Sequence, residues 1–434
     1  MNIKRLAATY WKKLKNNVFY RNIAVVAGGN VTARLIGIIS APIITRLYLP
    51  ADYGIYSIFV SIFGIVGSLA TLRYSVTIPI AESEKLSDNI LKLCFFITSS
   101  LSLLLVVCVA LFGDFFAVKY NTNRIIPYLW FIPIVFFCTG IYEALNNWAL
   151  REKRFNLITR TKIRQSTSSA TVKIGLGALG VSPLGLFIGQ IANSAAGIGS
   201  LFSKLMRVKP SFFKHFSWHE IKFAAKRYKK FPLVQSWSQL LLALGAQLPV
   251  LLLGSFYGAK AAGIFGLANS MIHLPMDLIG QSVSQVYYAE ISKYGKNNPQ
   301  KIYNLSVSIT KKLFLIGLIP LGAIILLGPW LFQIIFGTEW YDAGIYARFL
   351  IVYVMVAFIS TPLASVFNVF EKQTHQLILN ILRISLVLLV FTLCRVFNLS
   401  SLNTIIFYSL IMTIYFVFMT LFLFRTIKKE TKNF

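Results

Sequence analysis

The sequence predicts an all-α integral membrane protein with twelve transmembrane helices, and three observations carry that expectation. Hydrophobic residues make up 56% of the 434 residues and charged residues 13%, with a mean hydropathy of +0.68, well outside the soluble globular range. Between about residues 22 and 425 the apolar residues gather into twelve stretches, each long enough to cross a hydrocarbon core of about 30 Å. The connections carry positive charge on alternate sides only, 31 Lys/Arg on one side and four on the other. Such an asymmetry over short loops places both termini in the cytoplasm. Barrel strands are excluded because the stretches are too long and too uniformly apolar, whereas a helix satisfies its own backbone in lipid.

Each element has its own signal. The first span, 22–48, carries Arg34 and Pro42, and the second, 53–80, opens on Tyr53-Gly54. The third, 88–112, ends at a Phe112-Gly113 turn, and the fourth, 125–150, holds Glu143 beside Asn146 and Asn147. The fifth and sixth, 158–182 and 183–206, are rich in Gly, Ala and Ser; Lys173 lies in the fifth, and Gly185 and Gly189 form a GxxxG spacing in the sixth, which predicts close helix packing. The seventh is 231–255, and the eighth, 262–289, contains His273, Pro275 and Asp277. The ninth, 302–328, begins near Lys311 and Lys312, which are expected to snorkel. The tenth, 342–370, follows a Phe336-Gly337 turn and carries Arg348; the eleventh, 374–396, carries Arg383; the twelfth is 402–426.

A basic cytoplasmic loop, 207–230, separates a first bundle, 22–206, from a second, 231–426, with a basic arm at 1–21 and a tail at 427–434. Six spans per half return the chain to its starting side, so the halves are expected to be parallel six-helix bundles related by a pseudo-two-fold axis along the membrane normal. Glu152, Lys153, Arg164 and Ser166 echo Glu371, Lys372, Arg383 and Ser385 at one constant offset. YGIYSI at Tyr53 is echoed by AGIFGL at Ala262, and Phe112-Gly113 by Phe336-Gly337.

The net charge of +29 does not call for nucleic acid, because the run KFAAKRYKK at 222–230 is suited to an anionic membrane surface. The basic arm, with Lys4, Arg5, Lys12, Lys13, Lys15 and Arg21, resembles a signal-peptide n-region, but the following span is too long and is expected to remain as the first helix. Cys94, Cys108, Cys138 and Cys394 lie in apolar spans without CxxC spacing, so no disulfide framework or metal site is expected. His215 and His219 lack the intervening glutamate of a zinc motif, and no Walker A pattern is present.

The string TRLYLPADYGIYSIFVSI (45–62), the FGTEWYDAGIYARFL stretch (336–350), the EK turns and the six-plus-six plan resemble the Wzx-type polysaccharide or O-antigen flippases of the multidrug/oligosaccharidyl-lipid/polysaccharide (MOP) exporter superfamily. The resemblance covers essentially the whole chain. It implies movement of an undecaprenyl-diphosphate-linked oligosaccharide unit from the cytoplasmic to the outer face of a bacterial inner membrane, by alternating access between two bundles. Membrane lipids are partners in that picture, and a polysaccharide polymerase and a chain-length regulator are candidate protein partners.

Burying a diphosphate without partners costs many kcal/mol, and an ionisable residue at mid-bilayer itself costs about 2.5–3.5 kcal/mol on insertion scales. The basic residues inside spans are therefore the substrate-binding candidates: Arg34, Lys173, Arg46, Arg73, Arg348 and Arg383. Asp277, Glu143 and His273 are the ion-coupling candidates, with a proton or sodium ion as the only expected cofactor; pairing with a nearby arginine is the competing role for the two acids. A polymerase of the same pathway would be expected to carry a large outer loop. The longest outer connections here are roughly a dozen residues. A drug exporter of the superfamily would be expected to have an acidic interior. Eight basic residues against few acids argue for an anionic headgroup instead.

Overall fold

The structure is a computed structural model and describes residues 18–119, 123–214, 217–295, 298–370 and 372–432. The arm residues Lys4, Arg5, Lys12, Lys13 and Lys15, together with His215 and Glu371, lie outside the described residues. Among the described residues all regular structure is helical. In chain order the helices are α1 (Val18–Leu47), α2 (Pro50–Gly67), α3 (Glu84–Lys119), α4 (Phe131–Arg151), α5 (Phe155–Ala178), α6 (Leu184–Ala195), α7 (Ile198–Val208), α8 (Trp218–Arg227), α9 (Ser236–Tyr294), α10 (Pro299–Phe336), α11 (Tyr341–Leu363), α12 (Gln373–Val396) and α13 (Ser401–Lys432).

Ten helical stretches are long and apolar enough to cross a membrane. One contains α9, whose 59 residues leave helical geometry at Gly258 (φ 84°, ψ 175°) and so supply two spans. Helix α5 has spanning length at 24 residues, but Arg160, Lys162, Arg164, Gln165 and Lys173 lower its hydropathy. With these two the ten become the twelve expected segments, and the chain is a multi-pass membrane protein. Two local expectations are corrected. Helix α3 runs through Phe112-Gly113 to Lys119, so only Phe336-Gly337 ends a helix. The second span is not one helix to residue 80: α2 stops at Gly67, and Leu72 (φ 45°) and Arg73 (φ 61°) adopt left-handed backbone before a short 3-10 turn at Tyr74–Thr77.

The chain divides into two compact units. The first takes the described residues up to 47, then 63–116 and 124–240. Its core at one end packs Ile78, Leu86, Ile90, Leu93, Leu145, Trp148, Leu201, Leu205 and Phe212. The same core includes Ile221 and Ala224 of α8, so much of the expected basic linker folds onto this unit. Acids and bases tie it there. Lys209 bonds Asp88 at 2.6 Å, Lys85 bonds Glu220 at 2.5 Å, Asn89 donates to Glu220 at 3.0 Å, and Arg227 pairs with Glu82.

The second unit takes most of the chain from Leu241 onward and also Tyr48–Ile62, the first part of α2. Close backbone approach explains that grouping. A side chain added at Gly54 would stand 1.7 Å from the Ala259 carbonyl oxygen, and one at Gly263 2.1 Å from that of Pro50. In lipid, where helices gain little by hiding apolar surface from one another, small residues at such crossings let dispersion hold the backbones together. Tyr53 adds an edge-on ring contact with Trp340 at 5.4 Å.

Candidate functional site

Backbone at membrane depth can leave helical geometry only where neighbouring groups satisfy it. In the first unit the stretch after α2 meets that requirement. Thr98 donates to the Ala70 carbonyl at 2.8 Å, and Arg151 of α4 donates to the carbonyls of Ile78 at 2.9 Å and Ala81 at 2.8 Å. The unwound stretch carries Arg73, whose Nε is buried without a hydrogen-bond partner, and Ser75, which donates to Glu143 Oε1 at 2.7 Å. Thr71 and Ser75 share a hydrogen bond at 2.9 Å, and Asn146 on α4 has a buried, unpartnered side-chain oxygen. Glu143 is therefore met by a hydroxyl, and among the described residues no arginine pairs with it. Interrupted helices with polar groups at the break are a recurring way of building binding sites in transporters.

The other basic candidates of this unit lie on α1 and α5. Arg34 is half-buried on α1, and Arg46 is exposed in its last turn. The stem of Lys173 lies against α6 where a side chain at Gly189 would stand, 2.3 Å from its Cγ. The GxxxG spacing thus packs α6 onto α5 within the chain.

The second unit gathers three of the sequence-predicted residues. Helix α9 presents His273 and, one turn on, Asp277. His273 lies within electrostatic reach of both Asp277 and Arg383 of α12. The Arg383 guanidinium stands over the Phe416 ring of α13, 5.6 Å from its centroid, and its Nε is buried without a partner. Tyr353 of α11 links the group: its hydroxyl donates to Asn269 Oδ1 at 3.0 Å, and its ring lies 6.1 Å from His273 and 5.5 Å from Tyr408. Since a carbonyl can only accept, the 2.9 Å contact to the Asn269 oxygen makes His273 Nδ1 the donor. The neutral ring then keeps Nε2 as an acceptor. Asp277 is exposed. The arrangement offers a cation over an aromatic face, worth up to about 2 kcal/mol when desolvated, beside two groups able to take a proton.

Arg348 stands apart from this cluster, donating to the Leu326 carbonyl of α10 at 3.0 Å with Nε buried and unpartnered. Sequence inspection missed Asn269 and Tyr353. Asn269 precedes His273 and Asp277 at steps of four and so shares their helix face, a signal available in the sequence; Tyr353 had none among the many tyrosines. Among the described residues no group of three or more His, Cys, Asp or Glu could hold a metal ion.

Comparison with known proteins places the chain. A family model described as polysaccharide biosynthesis protein matches residues 43–344, well over half of the sequence. The chain belongs to the polysaccharide biosynthesis protein family. A comparison with curated proteins gives no match. Among solved structures, this family member is similar to the lipid II flippase MurJ in an inward closed conformation, at 15% identity over 91% of this chain and 86% of that one, with a TM-score of 0.63. It is also similar to an inward-facing multidrug resistance MATE family transporter of the MOP superfamily, at 16% identity over 94% and 95%, with a TM-score of 0.59. A third likeness is to a MOP superfamily transporter from Pyrococcus furiosus, at 14% identity over 94% and 95%, with a TM-score of 0.58. The chain therefore has the fold of these transporters.

Proposed function

We propose that the protein is a flippase that moves undecaprenyl-diphosphate-linked oligosaccharide repeat units, of O-antigen or a similar surface polysaccharide, from the cytoplasmic to the outer face of a bacterial inner membrane. The observation that carries this reading is Arg383, a cation held inside a spanning segment on an aromatic face with an unpartnered buried Nε. A guanidinium in that setting suits an anionic phosphate, which it can engage through paired N–H donors. Arg73 supplies a second such group on the unwound stretch of the first unit. Family membership and the MOP fold support transport over catalysis, and nothing in the mechanism requires a bond of the substrate to break.

In this mechanism the diphosphate is held by intramembrane cations while the protein exposes them to one face and then the other, and the lipid tail stays in the bilayer. His273, within electrostatic reach of Arg383, and Asp277, one turn on from it, are the coupling-ion candidates, with Glu143 in the first unit. Neutralising a carboxylate by a proton or sodium ion would change how strongly the neighbouring cation holds phosphate. A polymerase and a chain-length regulator would act on the delivered units.

The test is a gene deletion followed by labelling with a membrane-impermeant sugar oxidant in right-side-out and inverted vesicles. Single lipid-linked units trapped on the cytoplasmic face are expected. Units exposed on the outer face would show intact flipping and assign the chain to polymerisation, whereas normal polymer with no trapped units would point to export of another cargo.

A further inference from the structure

A cavity of about 330 Å³ lies within the second unit, lined without Arg383 by Tyr257, Lys260 and Ala261 of α9, Asp342 and Tyr346 of α11, and Ser401 at the start of α13. Its size falls within the roughly 300–1,000 Å³ of small-molecule sites. It sits where three helices are interrupted or begin: α9 breaks at Gly258, α11 starts at Tyr341 and α13 starts at Ser401. The walls are fixed by their own hydrogen bonds. Tyr257 and Thr404 hydroxyls meet at 2.6 Å, and the Tyr346 hydroxyl lies within interaction range of Ser401. The crossing at Gly54 and Gly263 clamps the same turns of α9.

We propose that this cavity is a saccharide-binding site, a subsite for the glycan portion of the cargo. The inference rests on the flippase reading for its place in transport, but not for its chemistry. Lys260 and Asp342 are both exposed and contribute one charge of each sign from different helices. A free phosphate would meet Asp342 and an organic cation would meet Lys260, so each carries a repulsive partner. A net-neutral ligand rich in hydroxyls is complementary to both: Asp342 accepts two hydroxyl protons, Lys260 and Ser401 donate to sugar oxygens, and the bonds to the two charged groups are about twice as strong as neutral ones. The half-buried Tyr257 lines the cavity beside the buried Tyr346, so aromatic surface is available there to the C–H groups of a pyranose.

Binding can be read without transport. The full-length protein in nanodiscs is titrated with the host's surface oligosaccharide, cleaved from its lipid diphosphate by mild acid, and followed by saturation-transfer NMR. Saturable binding that weakens about tenfold or more in Asp342→Asn and about threefold or more in Ser401→Ala, the one losing a charged sugar partner and the other a neutral one, is expected. A cavity-filling Ala261→Leu variant should abolish it, and a thermal melt confirms that each variant is folded. Absence of saturable binding to the wild type, or binding unchanged in both folded polar variants, overturns the proposal. Displacement of the oligosaccharide by phosphoethanolamine at lower concentration than by free sugar would assign the cavity to a zwitterionic headgroup and also overturn it. Because the probe carries neither lipid nor phosphate, a failure here leaves the vesicle flipping result untouched, and a failure of flipping leaves this binding result standing.

Discussion

Arg383 shows at single-residue scale why a charge in an apolar span is informative. The chain holds it in a segment that must cross lipid, at a cost of about 2.5–3.5 kcal/mol on insertion scales, which contacts with the Phe416 ring and the Tyr408 hydroxyl offset. Replacement by glutamine should therefore leave stability intact or slightly improved while slowing flipping about 10- to 100-fold, the loss expected for one charge-assisted contact of about 1.5–3 kcal/mol. Arg383→Lys should be intermediate, since it keeps the charge and loses the planar fork. The measurement is the flipping rate in vesicles at matched protein level with a parallel thermal melt, and wild-type rates in Arg383→Gln would remove this residue from the mechanism. At this scale the sequence was legible where a residue broke its surroundings. Arg383, His273 and Asp277 stand out in apolar runs and are brought together, whereas Asn269 and Tyr353 look ordinary there. Arg348 stood out equally and is bonded to a backbone carbonyl of α10.

Elements were legible through periodic apolar length, and their interruptions were not. Nothing in the apolar run after Gly67 announces its unwinding, because the groups that satisfy that backbone, Thr98 and Arg151, come from other helices. The basic run predicts a surface loop where α8 stands; Ile221 and Ala224 give that helix a buried face, and the side chains that receive it, Glu82, Lys85 and Asn89, lie on or just before α3. Hydrogen bonds from Lys85 and Asn89 hold the Glu220 carboxyl below its ordinary value of 4.5. A carboxylate with a depressed folded value stabilises docking above its ordinary value and loses that contribution as pH falls through the depressed one. Docking of α8 should therefore loosen below about pH 4 and with added salt, and Glu220→Gln should flatten the acid limb. Hydrogen exchange across 218–227 as a function of pH measures this, and an identical profile in the variant would exclude Glu220. A second element-scale expectation concerns the crossing of α2 with α9. Gly54→Leu would drive a side chain into the Ala259 carbonyl, where even tolerated overpacking costs about 1–3 kcal/mol. It should lower the melting temperature and the yield of monodisperse protein, whereas Gly28→Ala, whose added Cβ meets no neighbour within 4 Å, should change neither.

For the molecule as a whole, charge distribution makes a claim that single residues cannot. The end of the first unit that carries α8, Lys85 and Lys209 is crowded with cations, while Glu339 lies on the turn between α10 and α11 beside the cavity-forming end of the second unit. Positive charge is retained on the cytoplasmic side during insertion, so the basic end and the chain termini should face the cytoplasm and the Glu339 turn should face outward. Single cysteines test this in a chain whose four native cysteines are replaced by alanine. An impermeant maleimide added to intact cells should label Glu339→Cys and leave Lys222→Cys and Lys429→Cys unlabelled, with the pattern reversed in inverted vesicles. The opposite pattern would invert the topology and turn the proposed saccharide cavity toward the cytoplasm. It would then meet the glycan before translocation, as a loading site, and the expected outward position would make it a site the glycan meets on arrival.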